Sequence, residues 1–73
     1  ILDIYAEGKT ICIKTSSLGN DDKVEVFNIS GQRVISREIR TTFERIQITD
    51  PSGLYIVKVK SGNNTRIEKL ILR

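Results

Sequence analysis

The chain has no histidine, no methionine and no tryptophan, and a single cysteine and a single proline among its 73 residues. Without histidine there is no imidazole general base, no Ser–His triad and no His-ligated zinc. One cysteine, Cys12, excludes an internal disulfide and any Cys-only metal site. It is expected to act as a small apolar filler rather than a reactive thiol. Long hydrophobic runs are also missing, so no membrane span or signal peptide is expected within these residues. The first residue is Ile1 rather than Met, which suggests a piece of a longer protein whose leader, if it is exported, lies upstream. A chain this short makes one domain at most and is too small to enclose a substrate; a core this size rarely supplies more than about 3–5 kcal/mol of net stability. Enzyme chemistry, cofactors and metals are therefore not expected. Twelve Lys and Arg against nine Asp and Glu leave a net charge of +3. That falls short of the clustered charge of an electrostatic nucleic-acid binder.

What the chain does have is β-branched residues. Seventeen positions are Ile or Val and six are Thr, against one Ala, and this bias belongs to strands. Helical spacing is nowhere sustained, whereas period-two alternation recurs along the chain. Leu2, Ile4 and Ala6 alternate with Asp3 and Tyr5. After the Glu7-Gly8-Lys9 turn, Ile11 and Ile13 alternate with Thr10, Cys12 and Lys14, closing a first hairpin. A polar stretch over residues 16–22, with Gly19-Asn20-Asp21 as its turn cluster, precedes a third strand over residues 23–29. Val24 and Val26 mark one face of that strand and Phe27 and Ile29 the other, which places it centrally.

Ser30-Gly31 reads as a two-residue connection into a fourth strand over residues 32–39, with Gly31 supplying the positive φ of a tight turn. Arg33, Arg37 and Glu38 point to an edge or a solvent-facing side for this strand. A fifth strand spans residues 42–49 and ends at Asp50-Pro51-Ser52-Gly53, a turn with Pro51 fixing φ and Gly53 freeing it. Residues 54–60 form the strongest strand, with Tyr55, Val57 and Val59 on one face. Tyr55 is expected in the core, its hydroxyl bonded at the edge. A Gly-Asn-Asn turn then leads into a last strand over residues 65–72. Seven short strands at roughly ten-residue spacing predict an all-β fold, a seven-stranded antiparallel β-sandwich of immunoglobulin-like type.

Three stretches carry a family likeness. Val24-Glu25-Val26-Phe27-Asn28-Ile29-Ser30-Gly31-Gln32-Arg33-Val34 resembles the "V-x-V-Y/F-N-x-x-G-Q-x-V" segment of the C-terminal sorting domains of the type IX secretion system (Por secretion system, type A sorting domain family). Gly53-Leu54-Tyr55-Ile56-Val57-Lys58-Val59 is similar to their "G-I/L-Y-I-V-K-V" strand. Lys69-Leu70-Ile71-Leu72-Arg73 resembles their "K-L-I-V-K" ending. The frequent "Y-P-N-P" opening is replaced by Ile4-Tyr5-Ala6-Glu7-Gly8-Lys9-Thr10.

The resemblance implies an export address and no activity of its own. Residues 1–73 are then a single C-terminal sorting domain of a larger exported protein, with the cargo upstream in the same chain. The domain passes through the periplasm and is recognised, folded, by the outer-membrane translocon of Bacteroidetes-type bacteria. A sortase-like cysteine peptidase typically removes it, leaving the cargo on the cell surface or secreted. Recognition is assigned to Lys69, Leu70, Ile71, Leu72 and Arg73, with Gly31 and Gln32 as further candidates; Gly31, Pro51 and Gly53 are also read as turn formers. Asn28 and Gln32 either bond to the turn backbone or present amides to a receptor. Removing residues 69–73 is expected to spare much of the sandwich while abolishing export. No nucleic-acid partner or membrane insertion is expected, and an edge-strand or swapped homodimer is an open possibility. The alternative function is an extracellular accessory module binding protein or carbohydrate.

Overall fold

The computed structural model describes residues 2–19 and 21–73. Asn20 of the expected turn cluster, and Ile1, lie outside these. The described residues form seven strands and no helix: β1 (Leu2–Glu7), β2 (Thr10–Thr15), β3 (Lys23–Phe27), β4 (Arg33–Glu38), β5 (Phe43–Gln47), β6 (Gly53–Ser61) and β7 (Asn64–Leu72). All neighbouring strands pair antiparallel, in a three-stranded sheet ordered β1-β2-β5 and a four-stranded sheet ordered β4-β3-β6-β7. This is the expected all-β sandwich, compatible with an immunoglobulin-like description. As expected, β3 is central; of the two readings of β4, the edge position is the one the sheet order shows.

The two sheets close over the inward residues of each alternation. Ile11 and Ile13 of β2 and Ile46 of β5 meet Val24, Val26, Tyr55, Val57, Val59 and Leu72 from the larger sheet, all buried. β-branched side chains suit this layer because their restricted χ1 loses little further freedom on a pleated surface.

The chain switches sheets three times, and a polar side chain pins each crossing. Between β2 and β3, Asp22 is buried at 3% exposure. Its carboxylate accepts bonds from the Gly19 and Gly62 amides at 3.0 and 3.1 Å and from the Ser61 hydroxyl at 3.2 Å. A Cβ on Gly19 would stand 2.7 Å from that carboxylate, so a larger residue there must displace the Asp22 side chain from its bonds. Between β4 and β5, Glu44 accepts from the Arg40 and Thr41 amides and the Thr41 hydroxyl, and faces the Arg37 guanidinium at 3.6 Å. Between β5 and β6, the Tyr55 hydroxyl donates to the Pro51 carbonyl at 2.6 Å, as in the tyrosine corner of immunoglobulin-like sandwiches. No buried side-chain nitrogen or oxygen among the described residues lacks a hydrogen-bond partner.

One expected element is corrected. The Ser30-Gly31 connection is not a two-residue hairpin, because β3 ends at Phe27 and residues 28–32 form the turn. The Asn28 side-chain carbonyl accepts from the Ser30 and Gln32 amides at 3.0 Å, and its amide group donates to the Gln32 side chain at 3.0 Å. This local closure outcompetes continued pairing, and Ile29, expected on a strand face, is 74% exposed. The register also shifts between Val26 and Phe27, where Val34 is the extra residue of a bulge opposite the Val26–Ile35 and Phe27–Arg33 pairs.

Candidate functional site

β7 carries the run singled out by the sequence. Its register with β6 pairs Lys69 with Ile56, Leu70 with Tyr55, Ile71 with Leu54, and Leu72 with Gly53. Alternation divides the run between two roles. Leu72 is fully buried and Leu70 packs against the core, whereas Lys69 and Arg73 are exposed and Ile71 is 58% exposed. Gly53 opens β6 rather than sitting in the turn that precedes it. β7 is tied to β1 of the other sheet near both ends: the Arg73 amide donates to the Gly8 carbonyl at 2.9 Å just past the strand, and the Arg66 guanidinium near its start donates to the Leu2 carbonyl. The expectation that removal of residues 69–73 spares the sandwich is therefore revised, since the deletion takes Leu72 out of the core.

The other candidates lie near the same end of the larger sheet. Asn28, Ile29 and Ser30 share a shallow cleft of about 230 Å³ with residues 50–55, and Gly53 and Leu54 of that cleft pair with Leu72 and Ile71. Among the described residues, Gly31 and Gln32 bond to Asn28 and not to residues 69–73. Asn28 and Gln32 are engaged in the turn, which is the local reading of those amides. Gly31 holds φ at 85°, and nothing lies within 4 Å of where its Cβ would stand. Its requirement is conformational alone. Gly31→Val is expected to cost about 1–2 kcal/mol through the backbone, and Gly31→Asn distinctly less, since asparagine tolerates the left-handed region. Urea unfolding of the two variants checks this; equal midpoints for Val and the parent would contradict the turn assignment.

Arg33, Arg37, Arg40 and Arg45 do not form a free basic surface. Arg33 pairs with Glu25 at 2.9 Å, Arg37 with Glu44 at 3.6 Å, Arg40 with Glu38 at 2.9 Å, and Arg45 with Glu7 at 3.6 Å. Arg66 pairs with Glu68 at 3.3 Å, so every glutamate of the chain faces an arginine. On the outer face of the smaller sheet, Lys14 lies over the Tyr5 and Phe43 rings at 5.7 and 5.3 Å. Beside them Cys12 is fully buried, its thiol 3.4 Å from Glu7. Burial, and then the Glu7 carboxylate, push that thiol above its ordinary pKa, which keeps it protonated and unreactive at neutral pH. No group of His, Cys, Asp or Glu among the described residues is arranged to hold a metal ion.

Strand patterning alone did not reveal the apolar outer face of the larger sheet. Leu54, Ile67 and Ile71 are 41%, 60% and 58% exposed. The available signal was parity: Ile67 and Ile71 fall on the face opposite Leu70 and Leu72.

The chain belongs to the family of secretion system C-terminal sorting domains, which it matches over residues 7–73, from the end of β1 through β7. These are the sorting signals of the type IX secretion system. Such domains are typically non-catalytic, act with the type IX secretion machinery, and direct export across the outer membrane. No curated protein matches the chain.

Proposed function

We propose that residues 1–73 form a single, non-enzymatic C-terminal sorting domain of a larger exported protein, read as a folded object by the type IX translocon. The family match over residues 7–73 carries this reading. The domain travels through the periplasm behind its cargo. Its terminal strand, with exposed Lys69, Ile71 and Arg73, is the recognised part. A sortase-like cysteine peptidase then releases the domain and leaves the cargo at the cell surface or secreted. Burial of Leu72 and Leu70 supports recognition of a folded strand rather than of a loose tail, because only alternate residues of the run remain accessible.

The test fuses residues 1–73 behind a periplasm-targeted fluorescent reporter in a type IX-competent bacterium and in a strain lacking the translocon. Reporter outside the cell in the first strain alone is the expected result. The pair Ile71→Ser and Arg73→Ser, which leaves Leu72 in place, is expected to keep the fold and lose most of the export. Reporter trapped in the periplasm behind a folded, unaltered domain would move the assignment to an accessory binding module.

A further inference from the structure

We propose that the outer face of the larger sheet docks an amphipathic, acidic helix of a partner protein. The helix lies along β6, with apolar side chains on Leu54, Ile56 and Ile71 and carboxylates among Lys23, Lys58 and Lys60. This names a partner chemistry for the domain and rests on the sorting reading above.

The sheet edges offer a partner little. β7 has β1 packed alongside it and is tied to that side near both ends. β4 is bulged at Val34 and charged at Arg33, Arg37 and Glu38, and β5 carries Glu44 and Arg45 in ion pairs. Bulges and charges of this kind discourage strand addition. On the outer face of the smaller sheet the cations are already engaged, Lys14 by the Tyr5 and Phe43 rings and Arg45 by Glu7. The outer face of the larger sheet is where unmet charge and exposed apolar surface coincide.

The register places that chemistry. Lys23 lies opposite Lys60, Glu25 opposite Lys58 and Phe27 opposite Ile56, all directed away from the core. β7 adds Ile67 opposite Lys58, Lys69 opposite Ile56 and Ile71 opposite Leu54. The face is therefore graded along β6, apolar around Leu54 and Ile56 and basic around Lys58 and Lys60. Leu54 and Ile71 are 41% and 58% exposed. Four of the chain's six lysines stand here, all exposed, and among the described residues none of them makes an ion pair with a carboxylate. Like charges directly opposite, as at Lys23 and Lys60, cost stability until an anion meets them. The acids that the register places on this face, Glu25 and Glu38, are already bonded to Arg33 and Arg40. A partly apolar sheet face is ordinarily buried by a second layer of structure. Leu54 to Lys60 runs about 20 Å along β6, the length of a helix of about 13 residues. Such a helix can change its side chains along its length to match the gradient, whereas a lipid surface offers the same chemistry everywhere. A second copy docked face to face would set lysines against lysines.

The probe is a synthetic peptide of about 18 residues, long enough to hold a helix. One stripe carries leucine in its first half and glutamate in its second, and a counterpart has lysine in place of glutamate. The acidic peptide is expected to shift the NMR signals of Leu54, Ile56, Lys58 and Lys60. Those of Thr10, Cys12 and Lys14, on the outer face of the smaller sheet, are expected to stay unchanged. Lys58→Glu combined with Lys60→Glu is expected to weaken that peptide about tenfold and to bind the lysine peptide instead, whereas Lys58→Arg with Lys60→Arg retains the acidic one. Leu54→Gln tests the apolar end independently and is expected to weaken the acidic peptide several-fold. Urea unfolding of each variant is expected to match the parent, since the altered side chains are exposed. Three results would overturn the proposal: no shifts on this face, undiminished binding by the glutamate or Leu54→Gln variants, or anionic phosphatidylglycerol vesicles shifting the same signals in place of the peptide. Export is read in parallel. Failure of the unaltered domain to export its reporter overturns the sorting function, whereas export that survives Lys58→Glu with Lys60→Glu overturns the acidic helix alone.

Discussion

Leu72→Ala is expected to leave the domain largely unfolded at ambient temperature, one residue from the chain end, whereas Ile71→Ala beside it is expected to change stability little. Leu72 is fully buried and sits in the core with Tyr55 and Val57, while Ile71 is 58% exposed on the opposite face. Truncating a buried leucine costs about 2–5 kcal/mol, which matches or exceeds the roughly 3–5 kcal/mol available to a domain of this size. An exposed truncation away from caps and buried networks stays within about 0.5 kcal/mol. Urea titrations followed by circular dichroism separate the two, and a Leu72→Ala midpoint equal to the parent's would contradict the core assignment. The contrast bears on function. A lost export signal after deletion of residues 69–73 conflates unfolding with lost recognition, and only substitutions at Lys69, Ile71 and Arg73 separate them.

Asp22→Asn is expected to lower the melting temperature by about 5 °C or more at neutral pH and to flatten the acid limb of the stability profile. The Asp22 carboxylate joins the Gly19 loop to the β6–β7 turn, and its backbone carbonyl accepts the Ile39 amide at 2.9 Å. The Gly19 amide holds the carboxyl below its ordinary value of 3.8; burial opposes this, and the Gly62 amide and Ser61 hydroxyl reinforce it. At Glu44, burial works to raise the carboxyl, but the Arg40 and Thr41 donors and the Arg37 charge outweigh it and leave it below 4.5. At Glu25, the bond from Arg33 acts in the same direction. A carboxyl depressed on folding contributes stability that is complete above its unfolded pKa and is lost as pH falls through the folded one. The parent should therefore weaken progressively below about pH 4–5. Asp22→Asn starts lower at neutral pH and loses less on acidification. Parallel pH profiles for parent and variant would remove Asp22 from this role.

Much of this molecule was legible without coordinates because its two governing patterns are local. Alternation at Ile11 and Ile13, at Val24 and Val26, and at Tyr55, Val57 and Val59 assigned both the strands and their buried faces, since a pleated strand has no other way to segregate side chains. The mixed faces of β3 placed it centrally, and the charged β4 fell at an edge. The order of the three motifs also indicated the family, which the match over residues 7–73 establishes.

Where a pattern was ambiguous, distant residues or a competing side chain settled it. Ile29 continued the alternation of β3, yet the Asn28 amide closed the turn over residues 28–32 and turned Ile29 into solvent. Asp22 read as one more polar residue in a loop; its burial depends on Ser61 and Gly62, some forty positions later. Glu7 meets Arg45 and Glu25 meets Arg33 only because the sheets bring separate strands alongside. By itself the sequence determined the order of the seven strands, the buried faces of β2, β3 and β6, and which family the chain resembles. Only the tertiary structure decided that Leu72 belongs to the core, that Lys69 and Ile71 stand exposed on the outer face, and which charges are paired. Strand periodicity is a property of neighbours along the chain, whereas burial and pairing are set by whichever strands the sheets bring alongside.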